Sequence, residues 1–137
     1  RGLGLSRVVF FVNDLKTGVM AARSGFGEEV EELIRQFRFQ PRRGRDFFNQ
    51  AASKGKDVIV DDLDSPRMQD KIPAWYARAT QASAIILYPV VVKKVVAGLY
   101  YGDIVDKTAR INHGLLIQLD KLRNLMSRAF REKGQMG

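Results

Sequence analysis

Two apolar runs, Ala84–Val92 and Val95–Asp103, are separated only by Lys93-Lys94. Two residues make a tight hairpin loop, so the runs fold back as neighbouring antiparallel strands, although the loop lacks the usual Gly or Asn. Pro89 lies inside the first run. It has no N–H to give to a ladder, which places it at an edge or beside a bulge. A second hairpin opens the chain: Leu5–Asn13 is β-branched and aromatic, Asp14–Gly18 carries turn residues, and Val19–Ser24 returns. The opening strand is apolar at Val8, Phe10 and Val12 but also at Val9 and Phe11. Such a strand belongs in the middle of a sheet. Gly25 and Gly27 punctuate the end of its partner.

Short elements lie between the hairpins. Glu28–Ile34 suits a helix whose glutamates crowd the start, where the dipole favours negative charge. Phe37–Gln40 reads as a short strand stopped by Pro41, followed by a loop over Arg42–Arg45. Asp46 is a candidate N-cap for a helix through Ala52, with Gly55 as its terminator. Asp57–Val60 is a short strand, Ser65-Pro66 opens a small helix, and Pro73 opens a turn carrying Trp75 and Tyr76. From Arg110 to about Lys133, Leu115, Leu119, Leu122, Met126 and Ala129 recur at alternating spacings of four and three. That heptad-like stripe marks the longest helix and a surface for a second copy. Hairpins bracketing a helical middle predict an α+β domain, one sheet with helices on its faces.

Composition narrows function. At 137 residues the chain suits one domain, 1–137. It has no cysteine, which excludes thiol catalysis, disulfide frameworks, zinc ribbons and iron–sulfur sites, and points to a reducing cytoplasm. His113 is the one histidine, so a His-based metal cage or a Ser-His-Asp triad has little support. A net charge of +8 leaves nucleic acid open as a partner. No apolar run approaches the ~18 residues of a membrane span, and no signal peptide is recognisable. The chain begins at Arg1 rather than Met, and we expect it to be a piece of a longer protein.

Four stretches together resemble a GAF domain, a small-molecule sensory module of bacterial signalling proteins. Gly4–Val12 (GLSRVVFFV) is similar to that family's first central strand. Val58–Asp62 (VIVDD) with Ser65-Pro66-Arg67 resembles its strand and following loop. Ile86–Val92 and Val96–Asp103 resemble its hairpin, and the closing helix with Leu119, Leu122 and Leu125 its C-terminal helix. The wording is also similar to GAF domains that follow an HDOD module. The resemblance implies an antiparallel sheet of five or six strands with helices on both faces, and a ligand pocket on one of them. It implies pocket walls from Phe47, Phe48, Ile59, Asp61, Trp75, Tyr76, Tyr88 and Tyr100. Aromatic walls with a few polar groups suit a small-molecule cavity. The same aromatics would equally serve as a closed core.

Other constellations point to structure. Asp61, Asp62, Asp64 and Asp70 do not have the order of a calcium loop and fit turn and cap chemistry. Arg35, Arg38, Arg42, Arg43 and Arg45, with Phe37 and Phe39 between, faintly suggest a phosphate or single-strand surface. No nucleic-acid motif accompanies them, so nucleic acid is not the expected partner. Bilin-binding GAF domains mostly attach their chromophore through a cysteine, and the methionine sulfoxide reductases of this fold need cysteines. Phe47, Asn49 and Lys54 do not reproduce the cyclic-nucleotide motif of phosphodiesterase GAF domains, and His113 is badly placed as a haem ligand. The resemblance therefore implies a regulatory domain without catalysis, cofactor or metal. It would bind an unidentified small molecule, dimerise, and signal through its C-terminal helix to an effector domain in the full-length chain.

Overall fold

β1 (Arg7–Asp14) and β2 (Val19–Gly27) form the first hairpin, and β5 (Ala84–Val92) and β6 (Val95–Ile104) the second. The computed structural model describes residues 5–42, 44–106, 111, 114, 116–121, 123–125 and 128. The hairpins meet through β1 and β6, and the six-stranded sheet has the order β3-β2-β1-β6-β5-β4, with β3 (Arg38–Phe39) and β4 (Val58–Val60) at its edges. Every ladder is antiparallel. β1 is central, as an apolar pattern on both faces demands.

β2 continues through Gly25 and Gly27, which the sequence reads as its end. A Cβ on Gly25 would lie 2.5 Å from Val8 O, and one on Gly27 2.3 Å from Ser6 O. The glycines permit close approach to β1 instead of stopping the strand. Pro89 lies opposite Leu99, next to a register shift at Val90/Val91. β4 ends its pairing at Leu87, so among the described residues β5 has no strand partner on that side at Pro89. Lys93 and Lys94 both take left-handed backbone angles, φ 52° and 68°. This is the type I′ pattern, adopted without Gly or Asn at about 1–2 kcal/mol per residue.

Three helices cover one face: α1 (Val30–Gln36), α2 (Phe47–Lys54) and α3 (Ala74–Ala79), with a 3-10 helix at Pro66–Lys71. Asp46 caps α2 by accepting from Asn49 N, and Gly55 ends it at φ 66°. Pro73 starts a helix, not only a turn, because its fixed φ and missing N–H suit the first turn. The core here includes Val9, Phe11, Phe37, Phe48, Leu87, Leu99 and Tyr101. On the opposite face, Leu5, Val8, Ala84, Ile86, Tyr88 and Ile104 pack with Leu119. Residues 116–121 and 123–125 are helical, so the sheet carries helix on both faces. Among the described residues no helix is long and apolar enough to cross a membrane.

Candidate functional site

Side-chain alternation along β6 sends Leu99, Tyr101 and Asp103 to the face roofed by α1–α3. Arg7 stands directly opposite Asp103 in the β1–β6 register, and their charges meet in the interior. Asp103 is fully buried and Arg7 nearly so. Arg7 Nε donates to Asp103 Oδ2 at 3.0 Å and Oδ1 at 3.2 Å, and Nη2 donates to Oδ2 at 2.6 Å. Tyr101 Oη donates to Asp103 Oδ2 at 2.6 Å. Its proton being committed there, the 2.7 Å bond between the two phenols runs from Tyr76 Oη to Tyr101 Oη. Arg7 Nη2 also donates to Thr80 Oγ1 at 2.7 Å.

The network ties α3 to the sheet twice, through Tyr76 inside the helix and Thr80 at its C-cap. Burial raises the Tyr76 and Tyr101 phenols well above the ordinary range, so both stay neutral donors. Burial alone would lower the Arg7 guanidinium, but its hydrogen bond to Asp103 and the charge there raise it on balance. Around this polar floor the rings pack on one another. Trp75 lies edge-on to Phe48 at 4.7 Å and stacks on Phe39 at 5.4 Å, while Phe37 meets Tyr101 edge-on at 5.1 Å.

The structure divides the expected pocket residues. Phe47, Phe48, Trp75 and Tyr76 belong to the roofed face. Tyr88 and Tyr100 do not: they pair across β5 and β6 on the opposite face, Tyr100 against Phe10 at 5.1 Å. Ile59 is exposed between inward Val58 and Val60. Asp61 is exposed too, and its Oδ1 accepts from Ile111 N at 3.5 Å. Pleat parity separates them, because neighbours such as Tyr100 and Tyr101 cannot share a face. Arg7, Tyr101, Thr80 and Asp103 are the residues that the sequence reading passed over. Their signal was an Asp two positions beyond an inward Tyr, opposite an Arg that starts the other central strand.

Elsewhere, Asp62 Oδ1 accepts from Asp64 N at 3.1 Å, the turn chemistry expected of the acidic cluster. Phe37 and Phe39 are buried, which removes them as a stacking platform for bases. Arg35 pairs with Glu32, and Arg42 N donates to Asn49 Oδ1 at 2.7 Å, tying its loop to α2. Arg43 and His113 lie outside the described residues. Of the expected dimer stripe, Leu115, Leu122, Met126 and Ala129 also lie outside them. Leu119 is described and only 5% exposed, packed on its own sheet, so it does not present a surface to a second copy. Arg123 anchors the same helical stretch: it pairs with Asp57 and Asp120, and its guanidinium sits 4.6 Å over the Tyr88 ring.

No family model matches the chain, and no curated protein sequence does. Solved structures match over nearly all of it. A methyl-accepting chemotaxis protein, residues 122 to 287, is 16% identical with a TM-score of 0.79, covering 98% of this chain and 82% of that one. The GAF domain of an Acinetobacter phosphoenolpyruvate-protein phosphotransferase is 11% identical with a TM-score of 0.75, covering 99% and 77%. A free methionine-R-sulfoxide reductase from Neisseria meningitidis, solved with its substrate, is 20% identical with a TM-score of 0.70, covering 98% and 72%. The chain has the GAF fold. Since that fold is shared by signalling proteins and an enzyme, function must be argued from the site.

Proposed function

We propose that this chain is a regulatory small-molecule-sensing domain of a larger bacterial signal-transduction protein, working in the cytoplasm without catalysing a reaction itself. One observation carries the reading: a buried Arg7–Asp103 pair, extended through Tyr101 and Tyr76, lies beneath an aromatic cluster on the helix-roofed face. An apolar core would not need it, since replacing such a pair with well-packed apolar residues is often neutral or stabilising. A floor of oriented donors and one carboxylate under aromatic walls can recognise a small polar molecule. A ligand that takes over one of these hydrogen bonds would favour one placement of α3 and the preceding segment by differential affinity.

The exit route is physical. The short strand β4, which leads into the roof, touches the C-terminal stretch at both of its ends. Asp57 pairs with Arg123 just before β4, and Asp61 accepts from Ile111 N just after it. A shift of that segment would therefore move the helix that leads to an effector domain and to a second copy. Native mass spectrometry of the chain purified from its own host tests the proposal. We expect a co-purified small molecule that is lost in the double variant Arg7→Met/Asp103→Leu. No bound molecule in any preparation would favour a second reading, a GAF fold serving only as an interaction module. The close ring-on-ring packing of Phe39, Phe48 and Trp75 supports that alternative.

A further inference from the structure

One end of the sheet carries lysines around exposed aliphatic side chains. β1 and β6 pair with Val12 opposite Gly98, and Asn13 Nδ2 donates to Val96 O at 3.0 Å. The turn at 15–18 and the hairpin tip at 93–94 therefore lie at the same end. The C-terminus of α2 arrives there too: a Cβ on Gly55 would sit 3.4 Å from Val91 Cγ2 and 3.8 Å from Val96 Cγ2. Lys16, Lys54, Lys56, Lys93 and Lys94 are gathered in this way, and all are exposed. None of them has an ion pair among the described residues. Of the neighbouring carboxylates, Asp57 is held by Arg123, while Asp14 accepts from Lys16 N at 2.9 Å within its own turn and leaves the five lysines in clear excess. Among the lysines, Leu15 is 77% exposed, Val95 47% and Val91 41%.

We infer that this end of the sheet docks on an anionic lipid bilayer. Cations flanking aliphatic side chains on protruding turns match a membrane interface, which takes lysines at its phosphates and aliphatic groups at the acyl boundary. Nucleic acid would use the charges but not the leucine and valines, and none of these exposed apolar side chains is an aromatic on which a base could stack. The hairpin tip adds a second observation. Its two left-handed positions would be met with least strain by Asn-Gly, yet both carry a lysine; strain retained at a surface tip points to a use for the charge.

The tip also supplies the test. In Lys93→Asn/Lys94→Gly, two charges are lost and the turn geometry is relieved. Sedimentation with phosphatidylcholine vesicles, with and without phosphatidylglycerol, should show binding only to the anionic vesicles, weakening as salt rises. The double variant should bind them less tightly by on the order of twentyfold, from about fivefold per lysine, with no loss of thermal stability. Leu15→Ser should weaken binding at high salt as well as low. The inference is overturned by absence of binding to anionic vesicles at low salt, or by equal binding of the double variant. It is also overturned if duplex DNA or polyglutamate is bound in preference to the vesicles, which would make the patch a nucleic-acid or acidic-protein surface.

Discussion

At the scale of single residues, the Arg7–Asp103 pair decides most. Asp103→Asn would leave a buried guanidinium without its counter-charge, a loss of about 3–5 kcal/mol. A domain whose total stability is of order 5–15 kcal/mol should then show a sharply lower urea midpoint. Arg7→Met/Asp103→Leu removes both charges and should restore stability to near wild type, or exceed it. If the single and double variants unfold alike, the pair is not a desolvated unit. The phenols make a second prediction. Tyr76 and Tyr101 are held above their ordinary pKa, chiefly by burial. Above about pH 10 the unfolded chain releases those protons while the folded one keeps them, so stability is intact below that pH and falls as pH rises beyond it. The slope is about 1.4 kcal/mol per pH unit for each such tyrosine. Tyr76→Phe should flatten the alkaline decline measured by denaturant titration; an unchanged slope would contradict the buried phenol pair.

At the scale of elements, the two hairpins are opposites in strain. β1–β2 turns with Gly18 at φ 74°, a position glycine takes freely. β5–β6 turns on Lys93 and Lys94. Replacing those two by Asn-Gly should raise the thermal midpoint by about 3–5 °C, the equivalent of about 1 kcal/mol, since the added glycine's freedom in the unfolded chain offsets part of the relieved strain. Arg123 acts on a different element. It is partly exposed, so Arg123→Gln should change global stability by less than about 1 kcal/mol. Its partners, however, lie on the strand-entry residue Asp57 and on the Tyr88 ring. Hydrogen exchange should therefore speed up at the helical amides of 116–121 and 123–125 while the amides of β1 and β6 stay protected. Equal exchange in both proteins would mean that the helix is held by Leu119 and Leu116 alone.

At the scale of the whole molecule, what could be read from the sequence follows the range of the interactions. Hairpins, caps and the central place of β1 are local matters of spacing and composition, and they are legible. The site was legible in part. Phe47, Trp75 and Tyr76 are named as pocket walls by the resemblance, and the structure places them together on the roofed face. Tyr88, Tyr100 and Ile59 do not join them, because a list of residues carries no parity until the register is known. Arg7 and Asp103 lie 96 positions apart, and only the β1–β6 pairing reveals that they meet. The terminal helix has the same lesson. A heptad-like stripe identifies an apolar side without saying what covers it, and at Leu119 the cover is the chain's own sheet. The described apolar residues left exposed there are Ile117 and Leu125. Among the described residues, these two are the ones a dimer contact through this helix would use. Leu125→Glu should shift sedimentation equilibrium toward monomer without lowering the unfolding midpoint. Leu119→Ala should do the reverse, costing about 2–5 kcal/mol of stability and leaving association unchanged in the folded protein. A wild-type chain that stays monomeric at high concentration would rule out the dimer, and a dimer insensitive to Leu125→Glu would place its interface on another surface.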